Sequence, residues 1–143
     1  MNTETSKLLK ECNSGCKAAV DNIDQVKKHI SSPALMQRVE ACSKRHTEIG
    51  ERCRTLLCSG GEGECNPPAI GMAMAHVGTE IKLTVNDGDR HIAEMMADGA
   101  AMGMKSISKV LNLYTAASGE SKGIASELIN EERGFFNDML GYL

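Results

Sequence analysis

The sequence predicts an all-α four-helix bundle, and three observations lead there. Four long stretches carry apolar residues at steps of three or four, the spacing of one helix face. Aromatic residues make up 3% of the 143 residues and Trp is absent, too few for the aromatic and β-branched strands of a sandwich or barrel. Only three Pro occur, and Ala, Leu, Met, Glu and Lys are frequent, all good helix formers. A chain of this length forms one domain, residues 1–143, with a core large enough to need no cross-links.

Helix A is predicted from about Ser6 to His29, with Leu9, Cys12, Cys16, Ala19, Ile23, Val26 and Ile30 on its seam. Ser31-Ser32-Pro33 ends it. Ser32 can cap the next helix and Pro33 suits the first helical position. The short link makes A and B antiparallel neighbours. Helix B spans about Pro33 to Cys58, with Leu35, Val39, Cys42, His46, Ile49, Cys53 and Leu56 facing inward. His46 stands where an apolar residue is expected.

A glycine-rich loop, Ser59 to Cys65, precedes Asn66-Pro67, which reads as a cap and first helical residue. The shorter helix C follows, to about Val85, with a length of ~28 Å. Asn86-Asp87-Gly88-Asp89 is a turn signal. Helix D runs from about Asp89 to Ala116 on a seam of Ile92, Met95, Gly99, Met102, Ser106, Val110 and Leu113. Ser118-Gly119-Glu120-Ser121 breaks the pattern. Helix E covers about Ser121 to Tyr142, with Ile124, Leu128, Glu131, Phe135 and Tyr142 along one side. Glu131 is the second polar residue on a core seam. Helices A, B, D and E then form the bundle. Helix C crosses from one end to the other, so B and D run parallel; a five-helix up-and-down array is the rival topology.

Two antiparallel pairs joined by a crossover resemble the ferritin-like fold. Gly15-Cys16-Lys17-Ala18-Ala19, the Ser31-Ser32-Pro33-Ala34-Leu35 turn, Ile92-Ala93 and Asp98-Gly99-Ala100 resemble a bacterial ferritin-like family of about this length. The wider class implies a dinuclear iron or manganese site built from two Glu and two Glu-x-x-His motifs. That motif is absent. Val26, Ser43, Ala73 and Gly88 stand three residues before His29, His46, His76 and His91, and Phe135 stands three after Glu132. The di-metal site is therefore not carried over.

The net charge is −3 with a pI of about 5.8, where a duplex-binding domain would be basic, so nucleic acid is not an expected partner. Residues 1–58 hold ten Lys/Arg against seven Asp/Glu, and residues 59–143 hold six against twelve. A basic first half is expected to pack on an acidic second half. No apolar run is long enough to span a membrane, and the N-terminus lacks the order of a signal peptide. A cytoplasmic location follows, with the six Cys reduced.

Cys12 and Cys16 share a helix face, and Cys42 and His46 repeat that spacing. Such i,i+4 pairs can grip a soft metal. The bland alternative is that Cys and Met fill the core. His46 and Glu131 are expected to bond each other, because a buried polar group needs a partner. Gly99-x-x-x-Gly103-x-Lys105-Ser106 is not a phosphate loop: it is one residue short and lies within a helix. Gly15, Gly99 and Gly103 each cost up to ~1 kcal/mol of helix propensity, which is expected to be offset by close backbone approach. His29, His76 and His91 are expected in solvent, and no local context for a catalytic triad appears. Cys65 reads as a tolerated loop residue.

The functional expectation is a small, non-enzymatic bundle that associates with itself as a homodimer. The alternative is a metal-binding or metal-storage bundle, with a transition metal held by Cys12, Cys16, Cys42, His46 and Glu131.

Overall fold

The computed structural model describes residues 1–63 and 88–143, and those residues form an all-α four-helix bundle. Helix α1 covers Thr3–Val26 and runs into a 3-10 turn at Lys27–His29. Helix α2 covers Pro33–Ser59, α3 Gly88–Leu113 and α4 Gly119–Leu140. The predicted helix C and Cys65 lie outside the described residues, as does His76.

Local chemistry fixes the helix ends. Asn2 caps α1 by accepting the Thr5 amide at 2.8 Å. Ser32 caps α2 by accepting the Leu35 amide, with Pro33 in the first turn, where its missing N–H costs nothing. Ser118 caps α4 by accepting the Ser121 amide.

Two sets of long-range hydrogen bonds fix the helix directions. At one end, Asp89 at the start of α3 accepts the Ser31 and Ser32 amides, each at 2.8 Å. At the other, the start of α1 is tied to the α3–α4 link. Glu4 accepts the Ala116 amide at 2.6 Å, and Thr5 Oγ1 accepts the Ser118 amide at 2.8 Å. Helices α2 and α3 therefore begin at the same end and run parallel, while α1 and α4 run the opposite way. These directions fit the crossover arrangement and the five-helix array alike, which differ in the predicted helix C, outside the described residues.

The core divides into two apolar clusters stacked along the bundle axis. One gathers Ile23, Val26, Leu35, Val39, Met96 and Phe135. The other gathers Leu8, Leu9, Ile49, Leu57, Ile107 and Leu128. Each fully buried side chain of this size contributes roughly 1.5–3 kcal/mol. Between the clusters on their respective helices stand His46 of α2, Gly103 of α3 and Glu132 of α4.

Two predicted seams need correction. In α3, Ile92, Met95 and Gly99 are buried as expected together with Met96 and Ala100, but further along Ile107 faces inward while Met102 and Leu113 face outward. In α2, Leu57 is buried and Leu56 only partly so. Runs of three- and four-residue steps drift around a helix of 3.6 residues per turn, so a seam extrapolated from one end misses by one position at the other. The basic first half does meet the acidic second half. Arg38 bonds Asp138 at 2.5 Å, Arg52 bonds Glu127 at 2.7 Å, and Arg45 bonds Glu127 and Glu131, all between α2 and α4.

Candidate functional site

The polar centre of the bundle is built around His46, whose residue surface is only 1% exposed. Its Nδ1 lies 2.8 Å from the carbonyl oxygen of Cys42, one turn earlier in α2, and 3.4 Å from the Cys42 sulfur. Its Nε2 lies 2.6 Å from Oε1 of Glu132, which is 8% exposed. A carbonyl can only accept, so Nδ1 carries a proton and donates it. Burial alone would push the imidazole pKa down. The hydrogen bonds to Cys42 and Glu132 outweigh it and raise the value to about 11. His46 is therefore an imidazolium that also donates from Nε2 to the Glu132 carboxylate.

Gly103 makes room for this pair. A Cβ there would meet Cδ and Oε1 of Glu132 at 3.2 Å each. The glycine space expected to admit a neighbouring backbone admits a carboxylate instead. At Gly50 the neighbour is Cys16, whose Cβ would lie 3.2 Å from an added Cβ, so α1 and α2 are closely packed at that level.

Glu131 does not face His46. It accepts from Arg45 at 3.1 Å on the partly exposed α2–α4 seam, and Glu132 takes the inward place. Both positions continue a three- or four-residue step from Leu128. One residue of helix turns the side chain by about 100°, and that rotation puts position 132 in line with the buried Ala125, Leu128, Phe135 and Met139.

Four thiols, Cys12, Cys16, Cys42 and Cys53, are buried and free, while the free Cys58 is exposed. The neighbouring Cys53 thiol of α2, with burial, raises the Cys12 pKa well above the ordinary thiol value. Cys12 in turn is the main cause that lowers the Cys53 pKa. Cys16 is raised chiefly by burial, with Cys53 and Glu132 adding to it. Cys42 sits against His46. The structure therefore splits the five predicted residues: Cys12 and Cys16 on α1, Cys42 with His46 on α2, and Glu131 outside with Arg45. Among the described residues, no group of three or more His, Cys, Asp or Glu is placed to hold a metal ion.

Two spaces adjoin the pair. A groove of about 490 Å³ between α1 and α2 is lined by Asn13, Cys16, Lys17, His46, Gly50 and Arg54, among others. On the inner side, a cavity of about 20 Å³ is lined by Asn22, Cys42, His46, Gly99, Glu132 and other residues. That is room for about one water molecule. Asn13 Nδ2 and Asn22 Oδ1 are buried without a hydrogen-bond partner among the described residues. Both asparagines escaped the sequence reading because they lie beside the seam positions. His91, expected in solvent, is half-buried, and its Nε2 is likewise unpartnered.

No protein-family model matches the chain, and no curated protein sequence matches it. Its fold is similar to the crystal structure of a conserved hypothetical protein, Rv2844, from Mycobacterium tuberculosis. The two share a TM-score of 0.75 and 14% identity over 100% of this chain and 99% of that one. At that identity the likeness concerns the fold.

Proposed function

We propose that this chain is a small, non-enzymatic helical bundle of ferritin-like topology that pairs with a second copy through the outer face of α3. One observation carries the pairing. At steps of three or four, the exposed positions of α3 read Glu94, Asp98, Met102, Lys105, Lys109 and Leu113. Acid lies at one end, base toward the other, and a methionine 41% exposed lies between them. Two such helices packed antiparallel about a two-fold axis near Met102 set Asp98 against the partner copy's lysines, and Glu94 likewise. The face is self-complementary, as an isologous interface requires. Leu113, 67% exposed, adds apolar surface.

The absence of catalysis in this reading rests on His46. Both ring nitrogens already donate, so the ring offers no lone pair to a substrate proton or a metal. The reading places the protein in the cytoplasm, where its thiols stay reduced.

Charge reversal tests the pairing. In light scattering across a dilution series, wild type is expected to dimerise, and less so at high salt. Lys105→Glu/Lys109→Glu and Glu94→Lys/Asp98→Lys are each expected to stay monomeric, and an equimolar mixture of the two to form a heterodimer. A wild type that is monomeric at every concentration, or variants that dimerise unaltered, overturns the proposal.

A second reading, in which the bundle holds a transition metal, draws on Cys12 and Cys16, two free and buried thiols one helical turn apart on α1. Metal analysis of protein prepared without chelator, wild type beside Cys12→Ser/Cys16→Ser, tests it. Stoichiometric metal lost in the variant supports it, and metal-free wild type ends it.

A further inference from the structure

We propose that Cys42 is an oxidation site, which takes up one oxygen atom from hydrogen peroxide as a sulfenic acid seated in the small cavity bordered by Cys42, Asn22 and Glu132. The inference is independent of the pairing through α3.

The geometry places a cation and a space beside one sulfur. Cys42 is 4% exposed and free of any disulfide. Its sulfur lies 3.4 Å from His46 Nδ1, and the other ring nitrogen lies 2.6 Å from Glu132 Oε1. The Nδ1 proton is given to the Cys42 carbonyl oxygen at 2.8 Å and has the sulfur as its second neighbour. A protonated imidazole beside a cysteine steadies the charge that the sulfur gains as it attacks. Cys42, His46, Asn22 and Glu132 border the cavity of about 20 Å³, room for about one water molecule. Its walls also include Met96, Ala100 and Phe135, whose side chains carry no hydrogen-bond donor.

Asn22 says what the occupant must bring. It is 3% exposed, and its Nδ2 donates to the Ala18 carbonyl oxygen at 3.1 Å. Its Oδ1 is buried without a hydrogen-bond partner among the described residues. A buried acceptor left unpaired is costly, and an amide oxygen can only accept. The occupant therefore has to donate. A sulfenic acid on Cys42 supplies that donor, because its hydroxyl stands beyond the sulfur in the shared space. One water suits the same place in the reduced protein, and the sulfenic oxygen takes it over.

Hydrogen peroxide is neutral and little larger than water, so such a space admits it where a bulky oxidant is shut out. His46 lines both this cavity and the α1–α2 groove, whose rim includes the exposed Thr47 and Glu51. The imidazole is thus a wall shared by the interior and the solvent side. The Cys42 sulfur attacks one peroxide oxygen, the S–O bond forms as the O–O bond breaks, and the departing hydroxide takes up the thiol proton as water. One thiol and one peroxide become one sulfenic acid and one water: the sulfur is oxidised and both peroxide oxygens are reduced. Once the cavity holds the first oxygen, a second peroxide finds no room, so the reaction stops before the irreversible sulfinic acid.

The test uses reduced full-length wild type beside Cys58→Ser/Cys65→Ser, which keeps the four buried thiols. Each is treated with a modest excess of hydrogen peroxide, and catalase removes the remainder. The protein is then unfolded in guanidinium chloride containing dimedone, which tags sulfenic acids, and its peptides are mapped by mass spectrometry. A parallel sample is unfolded before the peroxide is added. In the folded proteins Cys42 is expected to carry more tag than Cys12, Cys16 or Cys53, to lose it when dithiothreitol precedes dimedone, and to gather no sulfinic acid. In the sample unfolded first, that preference should vanish. Asn22→Leu removes the acceptor and fills the space, so the tag at Cys42 should fall by about fivefold, the equivalent of one hydrogen bond. Folded protein with Cys42 unreacted, a tag spread evenly over the buried thiols, Cys42 recovered chiefly as a disulfide or sulfinic acid, or a tag undiminished in Asn22→Leu would overturn the proposal. The wild-type map decides the matter even if Asn22→Leu fails to fold.

Discussion

His46 Nε2 and Glu132 Oε1 meet at 2.6 Å in the middle of the bundle, with greasy clusters above and below them. An ion pair so placed gains from its partner about what it loses in hydration, so the two residues depend on each other far more than the fold depends on the pair.

Removing one partner is therefore expected to cost more than removing both. His46→Leu and Glu132→Leu should each lower unfolding free energy by about 3–5 kcal/mol, because each strands a buried charge. The double variant should recover most of that loss. Urea midpoints at neutral pH measure it, and strictly additive effects of the two substitutions would contradict the pairing.

The pair also sets a pH dependence on the alkaline side. The folded imidazole titrates at about 11, against an ordinary value of 6.5. A folded state that holds the proton more tightly draws its full stabilisation below pH 6.5. That stabilisation declines as pH rises, and is gone once pH passes 11. The slope in this window is at most about 1.4 kcal/mol per pH unit for one proton. Chemical denaturation from pH 7 to 10 should show stability falling for wild type more steeply than for the His46→Leu/Glu132→Leu double variant.

Gly103→Ala tests the room made for the carboxylate. Alanine gains up to ~1 kcal/mol of helix propensity, but its Cβ would press on Glu132 at 3.2 Å. Glu132 is held by His46 and has little freedom to yield. The net effect is expected to be destabilising by about 1 kcal/mol in wild type and stabilising in the His46→Leu/Glu132→Leu background. A gain in both, read by thermal unfolding, would mean that the glycine has no role in seating the carboxylate.

Asp89→Ala should loosen the end at which α2 and α3 start together. It removes the acceptor for the Ser31 and Ser32 amides. These bonds are near the surface, so a loss of about 1–2 kcal/mol is expected. Hydrogen exchange should quicken at those two amides before it does so in the core.

The architecture was legible because it rests on composition, helix-length periodicity and caps, and these act locally. Ser32 and Pro33 announced the start of α2. The polar centre was only half legible. His46 stood out on an apolar seam, but its partner was placed one residue early, at Glu131. Sequence steps allow positions 131 and 132 equally after Leu128. The choice is made by packing, which supplies Arg45 as the partner that holds Glu131 outside. The close approach of Cys16 to Gly50 between α1 and α2 was likewise hidden, although Cys16 lay on a predicted seam. Spacing along one helix reports which thiols share a face, while the level at which two helices touch depends on the bend joining them.

The unbroken apolar rows of a helical bundle leave its members free to slide, since one layer of leucines fits another nearly as well as the next. The mated charges at mid-height remove that freedom. Shifting α4 along α2 by one turn, about 5.4 Å, would carry Glu132 into hydrocarbon and strand the imidazolium. Misaligned packings are thereby penalised, and the protein keeps a single vertical alignment among otherwise interchangeable contacts.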